Sequence, residues 1–380
     1  MNIVMVGPVY PYKGGIAHYT GLLCRTLRKD HHVRMVSFSM QYPKILFKKP
    51  QKDESSDAFR VEDVEYSINT VNPLSWRKVA KSILAEDVDL VILQWWHPYF
   101  SICYSGLLRK IKAKKVILLC HNVLPHERFL ADRFLTKRVF KKSNGYIVHS
   151  ELDAQDLKTL IPAAVYKKNF HPTYDHFRQE GISKEKARSL LNIANDERVL
   201  LFFGVVREYK GLVYLLQAMP EIVRKIGPVR LVVAGDFGSS KDSYLEMIQK
   251  LDISSYIDIK DGYIPDHEVE KFFSASDLVV LPYISATQSG VVQTAFGMGR
   301  AVLVTKVGGL PEVVSDQKTG YVVPPQDVSA ICDAVVDYFV HKRAEDFEKN
   351  IAEQAYLFSW DRMKETIEDL ADEIRRDSMK

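Results

Sequence analysis

A chain of 380 residues exceeds what one ordinary hydrophobic core supports, so two domains are expected. Its composition, 46% hydrophobic, 26% charged and 11% aromatic, excludes disorder, collagen-like repeats and a coiled coil. The net charge of +4 conceals an asymmetry: residues 1–170 carry 27 Lys and Arg against 15 Asp and Glu, whereas residues 171–380 carry 25 against 33.

The first residues, Met1 to Gly7, read as a buried strand that begins at once and not as a signal peptide. Further short apolar or β-branched runs follow at 33–38, 88–93, 116–120 and 146–149, and again at 199–203, 231–234, 256–259, 278–282, 301–305 and 321–323. Runs this short and continuous suit strands covered on both faces. Helical patterns lie between them at 18–28, 77–85, 212–225, 244–251, 269–275, 291–297 and 328–340. That alternation predicts parallel sheets joined by right-handed crossovers, and two full sets predict two doubly wound domains. The expected division is 1–172, 173–357 and an amphipathic closing helix in 358–380 that returns to the first domain. Two such domains are expected to turn the carboxyl ends of their strands towards a shared cleft. The uncharged stretch 90–108 is long enough for a membrane span, but Gln94, His97 and Pro98 interrupt it and argue against one. Four scattered cysteines with no C-x-x-C pair suit a reducing compartment, so a cytoplasmic location is expected.

The strand ends carry the chemistry. No G-x-G-x-x-G follows the first strand and no P-loop occurs, which argues against a simple NAD enzyme or a P-loop NTPase. Instead the paired Gly14 and Gly15 stand where a loop enters a helix, a place where free N–H groups meet an anion or a tight turn needs glycine. His121 directly follows a buried strand, either to hydrogen-bond a polar ligand or to bond the backbone. Trp95 and Trp96 lie at another strand end, as sugar platforms or as core. In the second half Gly204 opens a loop with Arg207 and Lys210 three residues apart, a spacing that lets both cations reach one diphosphate. Ser289 and Gly290 open a helix, forming an anion nest, a serine N-cap, or both.

Together these pieces resemble the retaining GT-B glycosyltransferases of family four. The resemblance covers nearly the whole chain and rests on Gly14-Gly15-Ile16, His121, the Arg207/Lys210 pair, Gly235-Asp236, and the block from Thr287 to Glu312 that ends in Val307-Gly308-Gly309-Leu310-Pro311-Glu312. Phe358-Ser359-Trp360 before the closing helix is similar to that family's tail. The resemblance implies an α/β GT-B fold of two Rossmann-like domains, with the acceptor held mainly by the first and a UDP- or GDP-sugar mainly by the second. It implies that His121 bonds the transferred sugar and that Arg207 and Lys210 neutralise the diphosphate. Gly14, Gly15, Gly204, Gly235, Gln288, Ser289, Gly290, Val291, Thr294 and Glu312 are the implied donor-binding set. No metal or other cofactor is implied. One departure stands out: the family carries two glutamates in this block, and those positions fall on Ala286 and Thr294, with no Glu between Glu270 and Glu312. Gln288, Gln293 and Thr294 are the neutral residues available to replace them.

The expected activity is hexosyl transfer to a glycan or lipid-linked acceptor in envelope polysaccharide or glycoconjugate synthesis. An epimerase or hydrolase of the same fold, or a non-catalytic glycan-binding relative, are the alternatives. The basic clusters at 109–115, at 137–142 and at Lys44, Lys48, Lys49 and Lys52 predict an anionic partner, with the inner face of a membrane as the docking place. Nucleic acid is not expected, because no zinc finger, helix-turn-helix or RNP-like pattern accompanies the charge.

Overall fold

The computed structural model describes residues 1–47, 50–54, 57–125, 129–178 and 180–376. Lys48 and Lys49 of the third basic cluster lie outside the described residues. The chain divides into two compact units, Met1–Phe170 with Phe358–Lys380, and His171–Leu357.

The first unit is built on β1 (Asn2–Val6), β2 (His32–Met40), β3 (Val64–Asn69), β4 (Leu90–Trp95), β5 (Val116–Cys120), β6 (Gly145–Val148) and β7 (Tyr166–Lys168). They form one sheet in the order β3-β2-β1-β4-β5-β6-β7, parallel throughout. Every residue of β4, β5 and β6 is buried, as their unbroken apolar character requires in a sheet covered on both faces. The helix Gly15–Leu27 packs beside Trp360–Arg376, while Ser101–Lys110 lies between Pro73–Ala85 and Asp132–Phe140. Stretch 90–108 is thus β4, a short 3-10 turn and part of a helix. Among the described residues no helix is long and apolar enough to cross a membrane.

The second unit contains β8 (Arg198–Phe203), β9 (Val229–Gly235), β10 (Ile257–Asp261), β11 (Leu278–Leu281), β12 (Val302–Thr305) and β13 (Gly320–Val323). Their order is β10-β9-β8-β11-β12-β13, again all parallel. Each unit has its own core: Val6, Leu93, Trp95 and Leu118 lie in one, and Phe202, Val233, Val280 and Leu303 in the other.

Sequence periodicity misses β3 and β7, whose residues are mostly half-exposed, so neither shows the continuous apolar signature of the central strands. It also leaves out Ser101–Lys110, Asp132–Phe140, Glu151–Leu160, Lys184–Leu190 and Ala344–Glu353, helices too short for the period to stand out.

The closing helix joins the first unit through its apolar stripe. Met363, Ile367 and Leu370 are fully buried, and a Cβ on Gly145 would lie 3.2 Å from the Leu370 side chain. Thr366 Oγ1 donates to Asn169 Oδ1 over 3.0 Å, fixing the end of the segment that follows β7. Leu370→Ala should lower unfolding stability by about 3 kcal/mol in urea melts, because β6 offers no room for the site to collapse. A loss below about 0.5 kcal/mol would mean that the helix is not part of this core.

Candidate functional site

Where strand order reverses in a parallel sheet, loops leaving adjacent strands diverge and open a crevice at the carboxyl ends. In the second unit the reversal lies between β8 and β11. These strands pair at Leu200 with Leu278 and Leu201 with Val279, whereas β8 stays paired with β9 as far as Phe203 with Ala234. The loops after β8 and β11 therefore line the gap.

The loop after β8 is fastened at both ends. The Gly204 N–H donates to the Ala234 carbonyl (2.8 Å), and that of Lys210 to the Arg207 carbonyl (3.0 Å) within the 3-10 turn Glu208–Lys210. The Ile284 N–H donates to the Tyr209 carbonyl (2.7 Å). Gly211 is left-handed at φ 66°, and a Cβ there would lie 2.0 Å from the Pro282 carbonyl oxygen. Only glycine lets the two loops meet this closely.

Held in this way, Lys210 turns its ammonium back over the crevice. Its Nζ lies 3.0 Å from the point that a Cβ on Gly204 would occupy, and 5.8 Å from the centre of the Tyr283 ring. Val291 Cγ2 is 3.8 Å from the same point, so the first turn of the helix Gly290–Gly297 stands beside the ammonium. Burial, and then the neighbouring charge of the exposed Arg207, lower the Lys210 pKa to about 8. Among the described residues neither cation has an ion-pair partner. Two cations without an ion-pair partner, one exposed and one half-buried, thus stand at the end of β8.

Ser289 occupies the N-cap position, yet its side chain caps no helix N–H. Its hydroxyl instead shares a 3.5 Å hydrogen bond with that of Tyr283. The N-cap reading of this serine is thereby overturned, and the first turn keeps its amides without a side-chain cap. Gly290 is exposed. Gln288 is half-buried, and Thr294 is buried with its hydroxyl donating to the Gly290 carbonyl (3.0 Å). Gln293 is buried with Oε1 lacking a partner among the described residues. Gly235 sits against the site from below, since a Cβ on it would lie 2.0 Å from the Gly204 carbonyl oxygen. The Gly309 N–H donates to the Thr287 carbonyl (2.9 Å), which ties the loop after β12 to the one after β11. That tie carries the half-buried Glu312 in the short helix Leu310–Val313.

The first unit reverses its order between β1 and β4. There Gly7 packs so tightly that a Cβ would lie 2.5 Å from Gln94 Cγ. Gln94 is fully buried, its Oε1 lies 2.8 Å from His121 Nε2, and its Nε2 has no partner among the described residues. Because the Gln94 oxygen can only accept, the His121 Nε2 is the donor, and Nδ1 is the acceptor nitrogen whenever the ring is neutral. Tyr19 sets its ring edge-on to His121 at 4.7 Å, and Trp360 lies 5.0 Å from Tyr19. Tyr19 belongs to the helix Gly15–Leu27, so Gly14 (φ 99°, exposed, with open space where a Cβ would stand) and Gly15 lie one turn from that contact. His149 Nδ1 donates to the Asn169 carbonyl (2.8 Å), and burial holds its pKa down at about 4. Asp153 accepts from the Val123 N–H (2.9 Å) and pins the loop after His121.

The candidate residues therefore lie at carboxyl ends of strands at or next to the reversal points: Gly14, Gly15 and His121 in one unit, and the remainder in the other. Trp95 is not a sugar platform; it is fully buried, with its Nε1 donating to the Val123 carbonyl (3.3 Å). Trp96 is half-buried and donates to the Tyr42 hydroxyl (3.1 Å). Sequence reasoning missed Gln94, Tyr19, His149 and Tyr283. For Gln94 the signal was present, as the one polar residue inside the buried run Leu90–Trp95.

Comparison with known proteins identifies the family. The family described as "Glycosyltransferase Family 4" matches residues 13–165, and "Glycosyl transferases group 1" matches residues 197–340. The chain is 27% identical over 308 residues to a lipopolysaccharide 1,2-N-acetylglucosaminetransferase of Salmonella typhimurium, covering 73% of this chain and 79% of that protein. It is also 27% identical over 232 residues to a D-inositol 3-phosphate glycosyltransferase of Mycolicibacterium smegmatis, covering 59% of this chain and 51% of the relative. Among solved structures, Anabaena HepE in complex with UDP-glucose superposes with a TM-score of 0.72 at 16% identity, over 97% of this chain and 99% of that one. Sucrose-phosphate synthase from Thermosynechococcus elongatus gives 0.75 at 18% identity, over 99% and 100%. The chain is a glycosyltransferase of family 4 with the GT-B fold.

Proposed function

We propose that the enzyme is a retaining hexosyltransferase that moves a sugar from a UDP- or GDP-sugar to a glycan or lipid-linked acceptor of envelope polysaccharide or glycoconjugate synthesis. The observation that carries this reading is the half-buried Lys210 ammonium, folded over Gly204 near Arg207 and the uncapped first turn of the helix Gly290–Gly297. The relative from Salmonella, a lipopolysaccharide sugar transferase by name, and the UDP-glucose held by HepE support the donor class and the envelope role.

Glycosyl transfer asks for charge stabilisation more than for a protein nucleophile. As the nucleoside diphosphate leaves, negative charge grows on its distal phosphate. On this reading Lys210, Arg207 and the amides of Gly290 and Val291 stabilise that charge, which fixed groups do without reorganising. These groups do the neutralising work that a metal does in other transferases, so the proposed chemistry needs none. The departing phosphate oxygen takes the acceptor proton on the same face, which retains configuration. In the first unit, the acceptor nitrogen of His121 bonds a hydroxyl of the transferred sugar, and Gln94 holds the ring in that tautomer. Gln288, Ser289 and Thr294 meet the sugar or ribose hydroxyls as neutral partners in place of the family's two glutamates, with Glu312 at the neighbouring loop.

Nucleotide release from a panel of UDP-, GDP- and ADP-sugars tests the reading directly. Release that rises severalfold with a glycan acceptor, with the product anomer matching the donor in proton NMR, is the expected result. Release equal with and without acceptor would make the enzyme a hydrolase, and binding with no release would make it a lectin-like relative.

Arg207→Ala and Lys210→Met should each lower kcat about a hundredfold or more with thermal unfolding unchanged, a loss of about 3 kcal/mol in the transition state. Unaltered turnover in both variants would remove the site assignment. Gln94→Glu places a carboxylate at the His121 Nε2, stabilising the imidazolium and raising its pKa. The acid limb of the pH–rate profile should then move up by about one unit, because the ring must be neutral to accept. A profile that keeps its shape would show that Gln94 is packing alone.

A further inference from the structure

The helix Asp132–Phe140 has two distinct faces. Asp132, Thr136, Val139 and Phe140 are buried, and the acid is 3% exposed. The other face presents Arg133, Phe134, Lys137 and Arg138, continued by the exposed Lys141 just beyond the helix. Arg133, Lys137 and Lys141 are spaced by four, as are Phe134 and Arg138, so the five share one side. Phe134 is 68% exposed, and immediately before the helix Phe129 is 42% exposed and Leu130 wholly so. The same helix packs on Ser101–Lys110, whose exposed Arg109 and Lys110, with Lys112 after them, widen the basic field. Among the described residues none of Arg133, Lys137, Arg138, Lys141, Arg109 and Lys110 forms an ion pair.

Single exposed apolar residues are ordinary on a protein surface, but two phenylalanines and a leucine within six positions, interleaved with unpaired cations, are not scattered. Cations alone would suit RNA or an acidic protein. The protruding Leu130, Phe129 and Phe134 have no use on a phosphate backbone, whereas a bilayer interface takes apolar tips and cations together. We propose that this face, Phe129 to Lys141, is the surface by which the protein docks on an anionic lipid bilayer. The inference deepens the reading of an envelope acceptor at a membrane, and it does not depend on the transfer chemistry.

Co-sedimentation of the full chain with vesicles tests it, using phosphatidylcholine alone or with about 30% phosphatidylglycerol. The wild type should bind the anionic vesicles and release them as salt rises, with little binding to the neutral ones. Lys137→Glu/Arg138→Glu should weaken anionic binding about tenfold or more. Leu130→Ser/Phe134→Ser should weaken it by about as much while leaving a residual, salt-sensitive component. All four positions are exposed, so melting temperatures should match the wild type, and UDP-sugar thermal shifts should be equal in all three proteins. Equal binding to both vesicles, no vesicle binding, variants that bind like the wild type, or capture of an oligonucleotide in preference to vesicles would each overturn the proposal. A lost UDP-sugar shift in the wild type with intact vesicle binding would count against the donor reading alone and leave the docking surface standing.

Discussion

The second unit depends on a close approach: the Lys210 ammonium lies 3.0 Å from the point that a Cβ on residue 204 would occupy. Everything around it serves that contact. Gly211 lets the loop after β8 lie against Pro282, the Tyr209 carbonyl clamps Ile284, and Gly235 lets β9 close beneath Gly204. An ammonium kept partly dry is unfavourable on its own, and Arg207 worsens it. The fold tolerates this local cost because the arrangement is strongly tied at both ends. On the proposed reading, a ligand carrying two phosphates reverses the sign of that cost, and binding energy is concentrated where charge changes in the reaction.

The first unit uses a different principle, tautomer control. Gln94 is buried in an apolar strand, where a polar amide is costly unless bonded, and its bond to His121 fixes which ring nitrogen carries the proton. Tyr19 meets that ring edge to face, Trp360 packs in turn on Tyr19, and Trp360 opens the closing helix. The end of the chain thus supports the ring environment at the strand ends, and not the sheet alone.

Much of this was legible in the residues. Continuous apolar runs such as 116–120 and 278–281 gave the central strands, because burial on both faces leaves no polar alternation to confuse the period. Arg207, Lys210 and Gly204 could be singled out because a short gap after a strand places them together whatever the tertiary detail. Edge strands β3 and β7 were not legible, since one side of each meets solvent and its composition is mixed. Nor was the role of Ser289: a serine before a helix reads as a cap, and only the structure turns it towards Tyr283. Gln94 stood out as the one polar residue in a buried run, but its partner lies 27 residues away just past another strand, a relation that no local pattern encodes. The basic clusters were visible as charge, but the sidedness of 129–141 needed the helix to be seen.

The account is tested most directly by NMR titration of the Lys210 side-chain ammonium with and without UDP. It predicts a free pKa of about 8 that rises by one unit or more when the diphosphate binds. A lysine that titrates near its usual 10.5 in both states, indifferent to the nucleotide, would contradict the central claim.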